Sequence, residues 1–140
     1  MVEVVGVGAN SIDFVYRLPS WPRPEAGLSK LPVRERSERC GGQTATTMAA
    51  CARLGLRVKY AGVIGADVYG ARITERLAGL GVDVSGVIRR DGAMNASAAI
   101  LIDEGSGERI VLWERSRALA LRSDELPREA IAAARAFLDV

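Results

Sequence analysis

The chain has 140 residues, of which 49% are hydrophobic, 26% charged and 5% aromatic, with 19 basic against 17 acidic side chains and no histidine. This is the length and balance of one globular domain, and it sets aside disordered, collagen-like and disulfide-scaffold readings. Without histidine the chain cannot carry Ser-His-Asp or Cys-His catalysis, an HExxH zinc site or a histidine proton shuttle. Cys40 and Cys51 belong to no CxxC motif, so zinc and dithiol redox chemistry lose their ligands and no metal site is expected. The net charge of +2 is slight, and the densest basic group, Arg34 to Arg39, alternates in sign like a solvated face. No nucleic-acid partner is therefore expected. No apolar run approaches the roughly 20 residues of a spanning helix, and Met1 to Gly8 lacks a basic leader region. The expectation is a cytoplasmic protein with no membrane partner.

In chain order, Val2 to Val7 is a short valine-rich run closed by Gly8 and predicts a buried strand. Ile12 to Leu18 alternates Phe14, Tyr16 and Leu18 with Asp13, Val15 and Arg17, and predicts a second. After Pro19, Pro22 and Pro24, the polar segment Leu28 to Arg39 lacks helical periodicity and contains Pro32, which suits an edge strand. Gly41-Gly42 then opens an alanine-rich helix, Thr44 to Leu54, with Gly55 in the position after the cap. Val58 to Ile64 predicts a strand and Tyr69 to Leu80 an amphipathic helix closed by Gly81. Ala96 to Ile102 and Arg109 to Trp113 flank a turn-rich hairpin connection. Pro127 to Ala136 predicts a helix with proline at its opening, and the last residues, Ala136 to Val140, a further strand. This alternation of strands and helices with glycine turns implies an α/β layer architecture. A closing parallel strand with nothing after it to cover its face suggests the front part of a larger protein.

Three phosphate-binding patterns can be weighed. A Walker A loop needs Gly-Lys-Ser/Thr, and neither Lys30 nor Lys59 follows a glycine. Gly6-Val7-Gly8-Ala9-Asn10-Ser11 approaches a dinucleotide fingerprint, but Ile12 to Leu18, directly after it, reads as a strand rather than a helix. Gly41-Gly42 before a helix whose start is crowded with Gln43, Thr44, Thr46 and Thr47 suits either close ligand approach at a helix N-terminus or an ordinary tight turn. Asp13 lies inside a strand pattern, where a carboxylate needs a reason. A ligand with several hydroxyls would supply one, through charge-assisted hydrogen bonds.

These motifs together carry a resemblance. Gly8-Ala9-Asn10-Ser11-Ile12-Asp13, Gly41-Gly42 opening a helix that ends Ala52-Arg53-Leu54-Gly55, the turn Gly62 to Gly70, Gly81 to Ser85, and the hairpin Asp103 to Ile110 occur in the order of the PfkB (ribokinase-like) carbohydrate kinases. The resemblance implies an α/β fold: a ribokinase-like core with a central parallel sheet and flanking helices, plus a small β-sheet lid. The lid strands would lie near 14–18, 28–39, 96–102 and 109–113. Residues 1–140 would be the N-terminal part of the kinase domain. By the same resemblance Asn10, Asp13, Gly41 and Gly42 match acceptor-contacting positions, and Thr46 stands where the family often has asparagine. The family's Gly-Ala-Gly-Asp motif, with its catalytic base, and its ATP-binding segment are not found in the chain. No catalytic residue is therefore assigned here, and ATP with Mg²⁺ belongs to the complete enzyme without binding tightly to this chain. The implied activity is ATP-dependent phosphorylation of a sugar or polyol hydroxyl, with the 140 residues alone inactive and a homodimer formed through the lid strands. The other readings are a noncatalytic module that binds a polyol or self-associates through its lid strands, and a small structural domain without a ligand.

Overall fold

The computed structural model describes residues 1–23, 25, 27 and 30–139. Its elements are β1 (Val4–Val7), β2 (Ser11–Leu18), β3 (Glu35–Gly41), α1 (Gln43–Arg53), β4 (Val58–Gly65), α2 (Val68–Gly79), β5 (Asp83–Arg90), β6 (Ser97–Asp103), β7 (Arg109–Glu114), α3 (Arg128–Ala133) and β8 (Ala136–Asp139). They form two four-stranded sheets, one ordered β5-β4-β1-β8 and the other β3-β2-β6-β7. The first is parallel throughout. The second is mixed, with β2 parallel to β6 and antiparallel pairs at both edges.

The parallel sheet is covered on both faces, as its valine-rich strands require. On one face Met48 of α1 and Ile73 and Leu77 of α2 bury themselves against Ile12, Val58 and Tyr60. Gly6 makes this possible: a Cβ there would lie 2.7 Å from Met48 Cγ and Sδ. Each large aliphatic side chain so buried contributes about 1.5–3 kcal/mol. On the other face Val5, Val7 and Ala61 pack against Leu121, Leu126, Ala130 and Ile131 from the segment that includes α3.

Both main helices stop where glycine permits it. Leu54 and Leu80 are the C-caps, and the residues after them, Gly55 and Gly81, take φ of +86° and +85°. The Asp67 side chain caps the start of α2 by accepting from the Gly70 amide at 2.8 Å.

Four expectations need correction. The polar extended segment is a strand only from Glu35, whereas the pattern predicts 28–39. Residues 30–34 form no strand, Pro32 having no N–H to offer, although the Arg34 amide donates to the Arg17 carbonyl at 2.8 Å, and Leu28 and Ser29 lie outside the described residues. The first strand begins at Val4 rather than Val2. The last helix is one and a half turns, Arg128–Ala133, with Pro127 as its cap rather than its first residue. A whole strand, β5, stands where the sequence pattern predicts none. The closing strand is present and pairs in parallel with β1, from Val4↔Ala136 to Val7↔Asp139.

Besides its apolar packing, the segment after β7 is tied to the parallel sheet by an ionic cluster around Arg90. Arg90, at the end of β5, donates to Glu125 through both guanidinium nitrogens at 2.8 and 3.0 Å, and also to the carbonyls of Ala118 and Ala120. Glu125 accepts as well from the Arg122 amide at 2.8 Å. The Arg90 hydrogen bonds, helped by that amide, hold the Glu125 carboxyl down at about 2 against an ordinary value of 4.5. A carboxylate depressed on folding adds stability above its unfolded value and loses it as the pH falls through the folded one. Glu125→Gln is therefore expected to melt below the natural protein at neutral pH, with the gap closing as the pH falls from 4.5 to about 2. Circular-dichroism melts across that range check this, and a gap independent of pH would refute it.

Candidate functional site

Of the four places where the chain crosses between the two sheets, the first three are Gly8 to Asn10, Gly41-Gly42, and Asp91 to Ala96. These three meet. Gly42, at φ +93°, lies so close to the first that a Cβ would reach within 2.6 Å of the Ala9 carbonyl oxygen. The Ala45 amide, in the first turn of α1, donates to that same carbonyl at 3.2 Å. Gly42 thus serves backbone-on-backbone packing. At the start of α1 the Ala45 amide is taken by the β1–β2 turn, while Gln43 is exposed.

A buried polar network ties the crossings. Asn10, 6% exposed, donates from Nδ2 to the Tyr60 hydroxyl and to the Val63 carbonyl, each at 2.9 Å. Tyr60 donates to the Gly8 carbonyl at 2.8 Å. Asn95, 5% exposed, donates to Asn10 Oδ1 at 3.2 Å and accepts from the Gly65 amide at 3.1 Å. The Asn95 amide in turn donates to Asp67 Oδ2 at 2.6 Å. Burial pushes the Tyr60 phenol up to about 12, so it remains a neutral donor. Both side-chain amide hydrogens of Asn10 are engaged inside this network, which holds the turn.

Asp13 lies one turn of the pleat further along β2. Its carboxylate is half-buried, accepts from the Ser11 hydroxyl at 2.8 Å, and forms no ion pair with any described residue. Gly41 lies diagonally across the β2–β3 ladder from it, where Ser11 pairs with Gly41 and Asp13 with Arg39. A Cβ on Gly41 would stand 2.8 Å from both Asp13 Cγ and Ser11 Oγ, so the glycine leaves the carboxylate its room. Ser11, Asp13 and Gly41 therefore share one surface, with Asn10 and Gly42 behind it. Thr46 is exposed on α1 and lines, together with Gly41, the groove between β3 and the helices, which Asp13 does not line.

Four residues of this assembly escape a reading by residue type alone. Ser11 passes as a turn former, Tyr60 as a core aromatic, and Asn95 and Asp67 as turn residues. The available signal is a polar group interrupting an apolar run, at Tyr60 within Val58 to Ile64 and at Asn95 between Ala93 and Ala96.

The pfkB family carbohydrate kinase model matches residues 1–138. The chain belongs to this family. Over 134 residues it is 25% identical to a nucleoside kinase of Methanothermobacter thermautotrophicus, covering 96% of this chain and 42% of that protein. It is 33% identical over 137 residues to the Arabidopsis thaliana protein named "Probable fructokinase-3", covering 96% and 37%. Fructokinase from Xylella fastidiosa superposes with a TM-score of 0.78 at 25% identity, over 98% of this chain and 42% of that one. The parallel sheet with flanking helices and the second, mixed sheet are thus a ribokinase-like arrangement, and the chain spans about two-fifths of the relatives it matches. Among the described residues no group of three His, Cys, Asp or Glu could hold a metal ion, and no helix is long and apolar enough to cross a membrane.

Removing the Asn95 side chain would leave the Gly65 amide and Asn10 Oδ1 without partners. Asn95→Ala is expected to lower stability by about 1–3 kcal/mol with an unchanged denaturant slope. Urea unfolding measures it, and a loss within about 0.5 kcal/mol would place the network outside the fold's essential contacts.

Proposed function

We propose that these residues form the acceptor-binding part of an ATP-dependent kinase acting on a hydroxyl of a sugar or related polyol, with the mixed sheet as its lid. The observation that carries this reading is the Asp13 carboxylate, held open by Gly41, with no counter-ion of its own among the described residues. An ionised carboxylate accepts two charge-assisted hydrogen bonds, which suits a pair of neighbouring hydroxyls. The relatives named as sugar and nucleoside kinases support the same chemistry.

Within this chain the work is binding, orientation and the exclusion of water. Asp13 would fix the acceptor through its hydroxyls, while Ser11 holds one carboxylate oxygen in place. The mixed sheet, joined to the parallel one at the buried junction, would cover the bound acceptor and keep water from competing as nucleophile. ATP with Mg²⁺ is the proposed donor of the whole protein. The Xylella fastidiosa fructokinase, which has also been solved with bound ATP, supports that choice. No residue of this chain is assigned to the nucleotide or the metal.

Asp13→Asn and Asp13→Ala are expected to weaken acceptor binding by about 10- to 200-fold while leaving ATP affinity nearly unchanged. Calorimetric titration of the whole protein with each ligand separates the two. Equal losses for acceptor and ATP, or none for either, would mean that the acceptor lies elsewhere.

We also propose a homodimer through the mixed sheet. Every residue of β7 is exposed, Leu112 by 57% and Trp113 by 75%, and its outer edge has no strand beside it among the described residues. An apolar edge of this kind calls for a partner. Sedimentation is expected to give a dimer that Trp113→Glu weakens; a monomer at high concentration would exclude it.

A further inference from the structure

Arg39 stands directly across β2 from Asp13. Residues opposed in an antiparallel pair put their side chains on the same face, with Cβ atoms about 4.5–5.5 Å apart. Following the register across the mixed sheet, the row containing Asp13 reads Arg39, Asp13, Ala98, Trp113. The next row, Ser37, Val15, Ile100 and Val111, carries no charge. Along the second row lies a groove of about 550 Å³, lined by Arg39, Arg17, Glu35 and Arg109 around Val15, Ile100 and Val111, with Asp13 outside its lining.

The charges along this groove are unequal in kind. Arg17, further along the face, is answered by Glu35 at 3.3 Å. Arg39 has no ion pair with any described residue, and although Asp13 is its neighbour the two do not join. A cation and a carboxylate, neither in an ion pair with a described residue, thus stand opposite each other on the β2–β3 ladder, the cation at the edge of the groove. A neutral polyol would satisfy only the carboxylate. A polyol that also bears an anion satisfies both, its hydroxyls donating to Asp13 and its anion accepting from the guanidinium fork, which suits phosphate and carboxylate geometry alike. Because β3 is an edge strand, no further strand among the described residues flanks Arg39 from outside.

We propose that the acceptor bound at Asp13 carries an anionic group, a phosphate ester or a carboxylate, recognised by Arg39. This rests on the reading of Asp13 as the acceptor's hydroxyl ligand. Calorimetric titration of the whole protein with fructose, fructose 6-phosphate and gluconate tests it. One of the two charged ligands is expected to bind about 10- to 100-fold more tightly than fructose, and which one it is tells phosphate from carboxylate. Arg39→Gln is expected to abolish that preference and Arg39→Lys to keep part of it, since the charge remains without the fork. A natural protein that prefers fructose, or a preference that Arg39→Gln leaves intact, overturns the inference while Asp13 keeps its role. If Asp13→Asn alters the binding of none of the three, the reading of Asp13 fails and this one with it.

Discussion

The Asn10–Tyr60–Asn95 network is the constraint on which the rest of the molecule depends. A polypeptide that leaves one sheet for another exposes backbone groups at every crossing, and buried donors and acceptors left unmatched are costly. Here the first three crossings are brought together so that three side chains answer them. Tyr60 serves the Gly8 carbonyl, Asn10 the Val63 carbonyl and Asn95 the Gly65 amide. The parallel sheet could exist without this arrangement, but the angle at which the mixed sheet leaves it could not be held.

The site inherits its geometry from that junction. Asp13 lies on β2, three residues beyond Asn10 in the turn before it, and Gly41 is fixed by the close approach of Gly42 to Ala9 and Asn10. The carboxylate and the glycine that makes room for it are therefore registered by packing behind them. Asn10, which the family resemblance places among acceptor contacts, is engaged in this buried network. The polar residue in front of it is Ser11.

Local signals made much of this legible. Two alanine- or leucine-rich periodic runs ending at Gly55 and Gly81 are enough to place α1 and α2, because a glycine with positive φ is a local requirement. The strand at β5 was hidden, since Asp83, Ser85, Arg89 and Arg90 interrupt its apolar residues. Its pairing with β4 also shifts register between Lys59 and Ala61, which breaks the alternation. The function of Asn10 was hidden for a different reason. Its partners Tyr60 and Asn95 lie 50 and 85 residues away, and no window along the chain contains them. Asp13 with Gly41 was readable only because the motif order supplied the pairing that spacing alone does not.

The same long separations dictate an order of assembly. β2 can pair with β3 as soon as the chain has turned back through residues 35–41, but its other neighbour, β6, starts only at Ser97. β1 gains β4 at Val58 and waits for β8 until Ala136. Each sheet is thus begun early and finished late, with a helix-bearing stretch made in between, and non-local pairings of this kind slow folding. During synthesis the exposed flank of β2 would be a strand edge open to wrong partners until Asn95 emerges and the junction closes. The polar network that orients the finished molecule is, in time, the latch that ends that exposure.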